Sequence, residues 1–213
     1  MIMPNTDFLE LLKANLPKVE VGRLTKIVQF RELILQENKV QNLTRLTTPE
    51  DFFYGHTVDA IELIKAGLID YPAIDMGSGA GVPGILCAIL EPQSWILCES
   101  EKKKAQFLIH CLAELKLENV HVVADRTENW LKDNEAQSIV ARAVGPIDRI
   151  YGWLSKCSTW NNLVLLKGPS WDEEWAQFSS KTIGKKLQIV KKIDYEIGTV
   201  EKRSRCLVKI KRL

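Results

Sequence analysis

Apolar positions along the first third of the chain recur at helical spacing, with Leu24, Ile27, Val28, Ile34 and Leu35 on one stripe. Further on, "TTPEDFF" offers Thr48 as an N-cap with Pro49 at the first helical position, where a missing N–H costs nothing. This pattern predicts a helical N-terminal appendage over residues 1–67. From Pro72 the period changes. Short apolar runs of strand length, "AIDMG", "SWILCES", "NVHVVAD", "SIVARAV" and "LVLLKG", alternate with helical stretches that begin at Pro83, run from Lys102 to Leu115, and begin at Ile147. Such alternation predicts a parallel sheet covered by helices on both faces. After a polar helix near Trp171 to Ser180, "KLQIVKKIDYEI" and "RCLVKIKRL" flank a turn containing Gly198 and predict a terminal antiparallel hairpin. The fold class is therefore α/β, a Rossmann-like and mostly parallel sheet over residues 68–213, preceded by the appendage.

Composition narrows the class. The 213 residues, 46% hydrophobic and 26% charged, suit one globular domain with a full core plus an appendage. The start "MIMPNTDF" lacks a basic segment followed by an apolar one, and the longest apolar run, Val82 to Leu90, is broken by Pro83 and Gly84. A cytoplasmic chain that neither leaves the cell nor spans a membrane is expected. Five cysteines without C-x-x-C spacing read as buried thiols in a reducing compartment, and no metal-ligand spacing occurs. Net charge is only +2, yet eleven Lys and Arg against three acids from Lys181 to Leu213 give that end +8. The expectation is a basic face, for an anionic partner or as charged protection of a sheet edge.

The candidate chemistry begins at "AIDMGSGAGVPG", Ala73 to Gly84, which the pattern places at the C-terminal end of the first strand, where open α/β sheets bind ligands. Gly79, Gly81 and Gly84 fit G-x-G-x-x-G, which alone also suits a dinucleotide. Asp75, just before Gly77, changes the balance: a carboxylate at the strand tip repels a pyrophosphate and attracts a cationic ligand. S-adenosylmethionine carries an ammonium and a sulfonium and no phosphate, and D-x-G-x-G-x-G is the arrangement of its methyltransferases. Glu99 ends the next strand at the spacing where a carboxylate takes ribose hydroxyls, although a helix N-terminal charge just before "KKKAQFL" is the blander reading.

Missing residues narrow the acceptor. Pyrimidine-carbon methylation needs a cysteine nucleophile, usually after proline, and no Pro-Cys occurs; the Asp or Asn before Pro-Pro-aromatic used for exocyclic amines is absent too. The acceptors left already own a free lone pair, as guanine N7 does, and ask for alignment rather than acid–base work. Arg142 and Lys167 lie at strand ends on the ligand-binding edge. His56 and Asp59, at i and i+3, are expected to pair within a helix in a structural role. His110 and His121 are not expected to be catalytic, and Trp171 after "KGPS" offers a ring for base stacking at the cleft edge.

The chain resembles the bacterial small-subunit ribosomal RNA (guanine-N7) methyltransferases, also known as glucose-inhibited division protein B. The resemblance rests on "NKVQNLT" at Asn38 to Thr44, "HTVD" at His56 to Asp59, "IDMGSGAGVPGI" at Ile74 to Ile85, "KKKAQFL", "DRTENW" at Asp125 to Trp130, "ARA" at Ala141 to Ala143, "LLKG" at Leu165 to Gly168 and "RCLVKIK" at Arg205 to Lys211. It implies a seven-stranded S-adenosylmethionine-dependent methyltransferase fold and methyl transfer to one guanine of 16S rRNA near the decoding site, by a monomer. Positions matching the family's cofactor contacts are Gly77, Val82, Thr127, Glu128 and Arg142, beside Asp75, Gly79, Gly81 and Glu99 from the loop reading. Its basic cleft residues match Arg126, Arg142, Lys167 and Arg205, with Arg142 and Lys167 at the reaction centre. The chain departs from the family at Gly55, Ala60 and Glu37, where Arg, Ser and Trp are usual. The competing readings are a nicotinamide-dependent oxidoreductase, a methyltransferase of small molecules or proteins, and a non-catalytic RNA-binding module on the same fold.

Overall fold

A computed structural model describes residues 6–198 and 201–213. The opening residues 1–5 and positions 199–200 of the turn after Gly198 lie outside the described residues. Helices α1 (Thr6–Asn15) and α2 (Val21–Glu37) precede α3 (Pro49–Phe52), which starts where the Asp51 N–H donates to Thr48 Oγ1 at 3.1 Å. This is the cap and first-position proline expected from the sequence. The helix continues through a π-helical stretch, Phe53–Thr57, into α4 (Val58–Lys65). There the Val58 N–H reaches back to the Phe53 carbonyl, a five-residue step that upsets the regular ladder, and such stretches recur at functional sites.

Seven strands follow: β1 (Ala73–Met76), β2 (Trp95–Cys98), β3 (Val120–Val123), β4 (Ala136–Arg142), β5 (Trp160–Lys167), β6 (Leu187–Ile197) and β7 (Arg203–Arg212). They form one sheet in the order β3-β2-β1-β4-β5-β7-β6, with β7 antiparallel to both β5 and β6 and the other pairs parallel. β1 and β2 are buried along their whole length, which is why, Asp75 apart, they read as apolar runs rather than alternating ones.

Helices α5 (Gly84–Leu90) and α6 (Lys102–Leu115) lie on one face, where Phe8, Ile27, Phe30, Phe52 and Leu63 of the N-terminal helices join Ile85, Leu86 and Leu108 in one buried core. The appendage thus shares its apolar interior with the sheet. Burial of each such side chain is worth about 1.5–3 kcal/mol, so the N-terminal helices are fastened by packing and not by a few polar contacts. The other face is covered by α7 (Thr127–Trp130), α8 (Ile147–Leu154) and α9 (Trp171–Ser179) over Ile74, Ile139, Tyr151, Trp160 and Phe178.

The charge of the C-terminal end is arranged differently from the uniformly basic face expected. Lys181, Lys192, Lys202, Arg203, Arg205 and Lys209, six of its eleven cations, sit in ion pairs with Asp148, Asp172, Glu196, Glu201, Asp59 and Asp70 respectively. Glu196 and Glu201 belong to the hairpin itself, but Asp148, Asp172, Asp59 and Asp70 come from the body of the protein, remote in sequence, and counting charge along the C-terminal end does not see those four.

Strand order reverses between β1 and β4, and the crevice above the C-terminal ends of these strands is where a ligand enters such a sheet. The loops after β1, β4 and β5 line it.

Candidate active site

The loop after β1 needs its glycines. Gly77, Gly79 and Gly81 have φ of +66°, +55° and +88°, in the left-handed region, and a Cβ at Gly81 would stand 2.6 Å from Ile85 Cδ1. Asp75 is less open than expected. Its side chain lies beneath the loop rather than facing the crevice: the residue is 1% exposed, and Oδ2 accepts the Gly84 N–H at 2.9 Å. The reason is local. The first N–H groups of α5 have no helical acceptor, and a buried donor there must find one below the loop. Burial raises the Asp75 carboxyl to about 7, with the Gly84 N–H opposing. Asp75 therefore braces the loop from beneath.

Glu99 is 8% exposed; Oε2 accepts the Gly79 N–H at 2.9 Å and Oε1 the Glu101 N–H at 2.8 Å. It ties the glycine loop to the start of α6, which unites the ligand and helix-end readings. Each carboxylate oxygen retains acceptor capacity for a hydroxyl.

Beside this loop lies a cavity of about 180 Å³, walled by Met76, Gly77, Cys98, Thr127, Glu128 and Val144, with Arg126 at its rim and Trp153 across from it. Thr127 is 2% exposed, and its hydroxyl has no partner among the described residues beyond the neighbouring Cys98 thiol. A buried hydroxyl with only a weak thiol beside it, in a mostly apolar slot, is one that a nucleoside ligand would satisfy. Burial pushes the Cys98 thiol up to about 12, so it is an inert wall here. Val82 does not line this cavity; its side chain packs in the core beneath the loop, so any ligand contact it makes is through its backbone.

A second cavity, of about 430 Å³, is lined by Arg142, Ala143, Val144, Gly145, Lys167 and Arg205 among others, and Val144 is common to both. Ala143, at the tip of β4, has φ of +57°, a left-handed conformation costing a non-glycine residue about 1 kcal/mol or more. Lys167 Nζ donates to the Gly145 carbonyl at 2.8 Å and to Glu174 Oε1 at 2.7 Å. The same Glu174 oxygen accepts the Ile147 N–H at 2.6 Å. Trp171, expected to stack on a base, is 1% exposed and lies beneath Lys167, whose Nζ is 5.6 Å from the ring centre. It supports the lysine and has no free face for a base.

Arg142 is the most heavily held cation of the site. Its Nη1 donates to the Gly55 carbonyl at 3.0 Å and to Asp59 Oδ2 at 2.8 Å, and its Nη2 donates to His56 Nδ1 at 2.6 Å. Arg205 joins the same Asp59 Oδ2, and the Tyr195 hydroxyl donates to Asp59 Oδ1 at 2.8 Å. Burial lowers the Arg142 pKa, and the neighbouring Asp59 charge opposes that. His56 and Asp59 thus do not pair along the helix as expected; both turn onto Arg142. A carboxylate with no exposed side-chain surface needs cationic partners, and the arginines supply them. Burial, then the Arg142 charge, hold the His56 pKa at about 3, so the ring is neutral. With Nδ1 accepting from arginine, Nε2 carries the proton and donates to Thr44 Oγ1 at 3.0 Å.

Four participants escaped sequence reasoning: Gly55, Thr44, Glu174 and Tyr195. Thr44 falls inside the "NLT" motif that marked the segment without giving its role. Tyr195 lies 136 residues from Asp59 in an edge strand, and no local pattern distinguishes it.

The profile of the family described as rRNA small subunit methyltransferase G matches residues 23–204. The chain belongs to that family. It is 34% identical over 182 residues to the "Ribosomal RNA small subunit methyltransferase G" of Solibacter usitatus, covering 84% of this chain and 86% of the relative. It is 32% identical over 190 residues to the protein of the same name from Psychromonas ingrahamii, covering 88% of each. Among solved structures, M. capricolum TrmK in complex with S-adenosyl-homocysteine superposes with a TM-score of 0.53 at 15% identity, over 73% of this chain and 67% of that one. MtNAS in complex with MTA and tNA gives 0.57 at 15% identity, over 96% and 75%. At such identities these two speak for the fold alone. The family signatures "NKVQNLT" and "HTVD" are the segments that gather on Arg142.

Proposed function

We propose that this rRNA small subunit methyltransferase G family member transfers a methyl group from S-adenosylmethionine to N7 of one guanine in 16S rRNA of the small ribosomal subunit. The observation that carries the reading is the pair of adjoining cavities that share Val144. One is narrow and mostly apolar, with the weakly partnered Thr127 hydroxyl; the other is wider and lined by three cations, Arg142, Lys167 and Arg205. When bound, S-adenosylmethionine supplies an electrophilic methyl group on a sulfonium. The residues that would hold it are the Gly77, Gly79 and Gly81 backbone, Glu99, Thr127 and Glu128, with Asp75 keeping the loop in shape.

The wider cavity supports an acceptor with a lone pair of its own. Among the described residues its titratable side chains are Arg142, Lys167 and Arg205, none of which is a base at neutral pH. The nearby His56 is neutral, but its Nδ1 is engaged by Arg142. The task left to these residues is orientation, which well-placed groups perform by fixing distance and angle before reaction. Arg142 uses three of its five N–H groups on protein acceptors and Lys167 two of its three. The remainder are donors for guanine O6 or the flanking phosphates. Arg126, exposed at the rim, meets the backbone of the RNA.

Two features support the coarser parts of the reading. Among the described residues the large exposed apolar side chains are Val21, Val40, Ile109, Ile183, Val190 and Leu213; Ile183 and Leu213 share one small cavity and the others lie on separate segments, as suits a monomer. No helix of the described residues is long and apolar enough to cross a membrane. A ribosomal substrate implies the cytoplasm. Transfer of labelled methyl from S-adenosylmethionine, assayed in parallel on 30S subunits, naked 16S rRNA and total protein, tests the proposal. Label in the RNA of either ribosomal sample is expected; label only in protein, or cofactor-dependent oxidation of NADH instead, overturns it.

A further inference from the structure

Five residues of the appendage bear on the wider cavity from outside its lining. Asn38 Oδ1 accepts the Leu43 and Thr44 N–H groups at 2.8 and 3.0 Å, and its Nδ2 donates to the Thr44 carbonyl at 2.8 Å, which fixes the loop that carries Thr44. Thr44 Oγ1 takes the Nε2 proton of His56 and also the Leu46 N–H at 3.1 Å. His56 presents its bare Nδ1 to Arg142, and the π-helical stretch turns the Gly55 carbonyl onto the same guanidinium. Asp59 then joins Arg142 to Arg205 through one oxygen and is itself steadied by Tyr195.

We propose that Thr44, His56 and Asp59 are positioning residues for methyl transfer, a chain from the appendage that fixes the guanidinium planes of Arg142 and Arg205 at the acceptor cavity and offsets part of their charge. The inference rests on the proposed guanine-N7 reading and deepens it. Attack by N7 leaves positive charge on the base, and two bare guanidiniums beside it would oppose the reaction. One shared carboxylate reduces the arginine pair from +2 to +1, and Glu174 neutralises Lys167. Both sets keep their hydrogen-bond donors while the field against the developing charge weakens. A planar guanidinium fixes direction only when its own plane is fixed, and three acceptors on Arg142 do that.

The test uses the full-length enzyme, 30S subunits and saturating S-adenosylmethionine, with single-turnover methyl transfer as the readout. Thr44→Val keeps shape but leaves the His56 Nε2–H and the Leu46 N–H without their acceptor; it should lower the rate about 10-fold, with cofactor affinity close to wild type and a cooperative melt at a somewhat lower temperature, and Thr44→Ser should restore the rate. Asp59→Asn should lower the rate by about 10², as expected for a misplaced group. In an Arg142→Met background, Thr44→Val should have no further effect on rate, because it acts through that arginine. A normal rate for Thr44→Val, or losses that multiply in the Arg142→Met background, would overturn the inference. If Asp59→Asn fails to fold, the Thr44 series still decides. Failure of the wild-type enzyme to methylate 30S subunits would instead sink the functional reading itself.

Discussion

Asp75 and Lys167 show how a side chain's surroundings set its role. A carboxyl whose pKa rises on folding, here to about 7 from an ordinary 3.8 through burial, binds its proton more tightly in the native state. Its stabilising contribution is then complete below pH 3.8, declines as pH rises towards 7, and is flat beyond. Asp75→Asn keeps an acceptor for the Gly84 N–H and removes the titration. The variant's stability should therefore hold where the wild type loses up to about 1.4 kcal/mol per pH unit between pH 4 and 7, measured by denaturant melts across that range. A wild-type profile with no decline in that window would contradict the buried-acid account. Lys167→Met retains length over Trp171 and loses the donor. Methyl transfer at saturating cofactor should fall by about 10², while calorimetry shows S-adenosylmethionine affinity unchanged, since Lys167 lies outside the cavity assigned to the cofactor. An unaltered single-turnover rate would remove Lys167 from the site.

At the scale of elements, the glycine loop is a fitted piece between β1 and α5. A Cβ at Gly84 would stand 2.5 Å from Leu97 Cδ2 and 2.7 Å from Asp75 Oδ2. Gly84→Ala should cost about 1–3 kcal/mol by overpacking and weaken cofactor binding with it, read from a denaturant midpoint and a titration of the same sample. A neutral substitution would mean the loop gives way freely. Most elements were legible before any coordinates. Thr48 and Pro49 mark a helix start, Lys102 to Leu115 is helical over that same span, and the alternation of apolar runs gives the parallel sheet. These signals are local, and local chemistry decides them. The site was legible only in part. The positive-φ glycines announce themselves, because few other residues tolerate that backbone. The Asp59 cluster does not, since Arg142, Tyr195 and Arg205 reach it across 83, 136 and 146 residues. The same distance explains why His56 and Asp59 read as a helical pair.

For the whole molecule, charge that is dense in sequence is spread by folding. Lys192, Lys202 and Lys209 already have carboxylates at 2.8 Å, whereas Arg126, 59% exposed in its side chain, stands at the rim of the cavity beside its weaker partner Glu128, 3.6 Å away. Neutralising Arg126 should reduce the slope of log affinity for 16S rRNA against log salt by about 0.7 to 0.9, the value of one phosphate contact. Neutralising Lys192 and Lys209 together should change it by less than that; the reverse ranking would return RNA binding to the hairpin. All of this bears on the proposed arrangement, in which two cavities that meet at Val144 take the cofactor and the acceptor base. The most direct test is to identify the methylated atom: single-turnover reaction of the wild-type enzyme with unmethylated 30S subunits, followed by nucleoside analysis and strand scission at 7-methylguanosine. The account predicts one methyl group per 16S chain, on N7 of a single guanine. Methylation of an exocyclic amine or a ribose hydroxyl, or scission at many guanines, would contradict it.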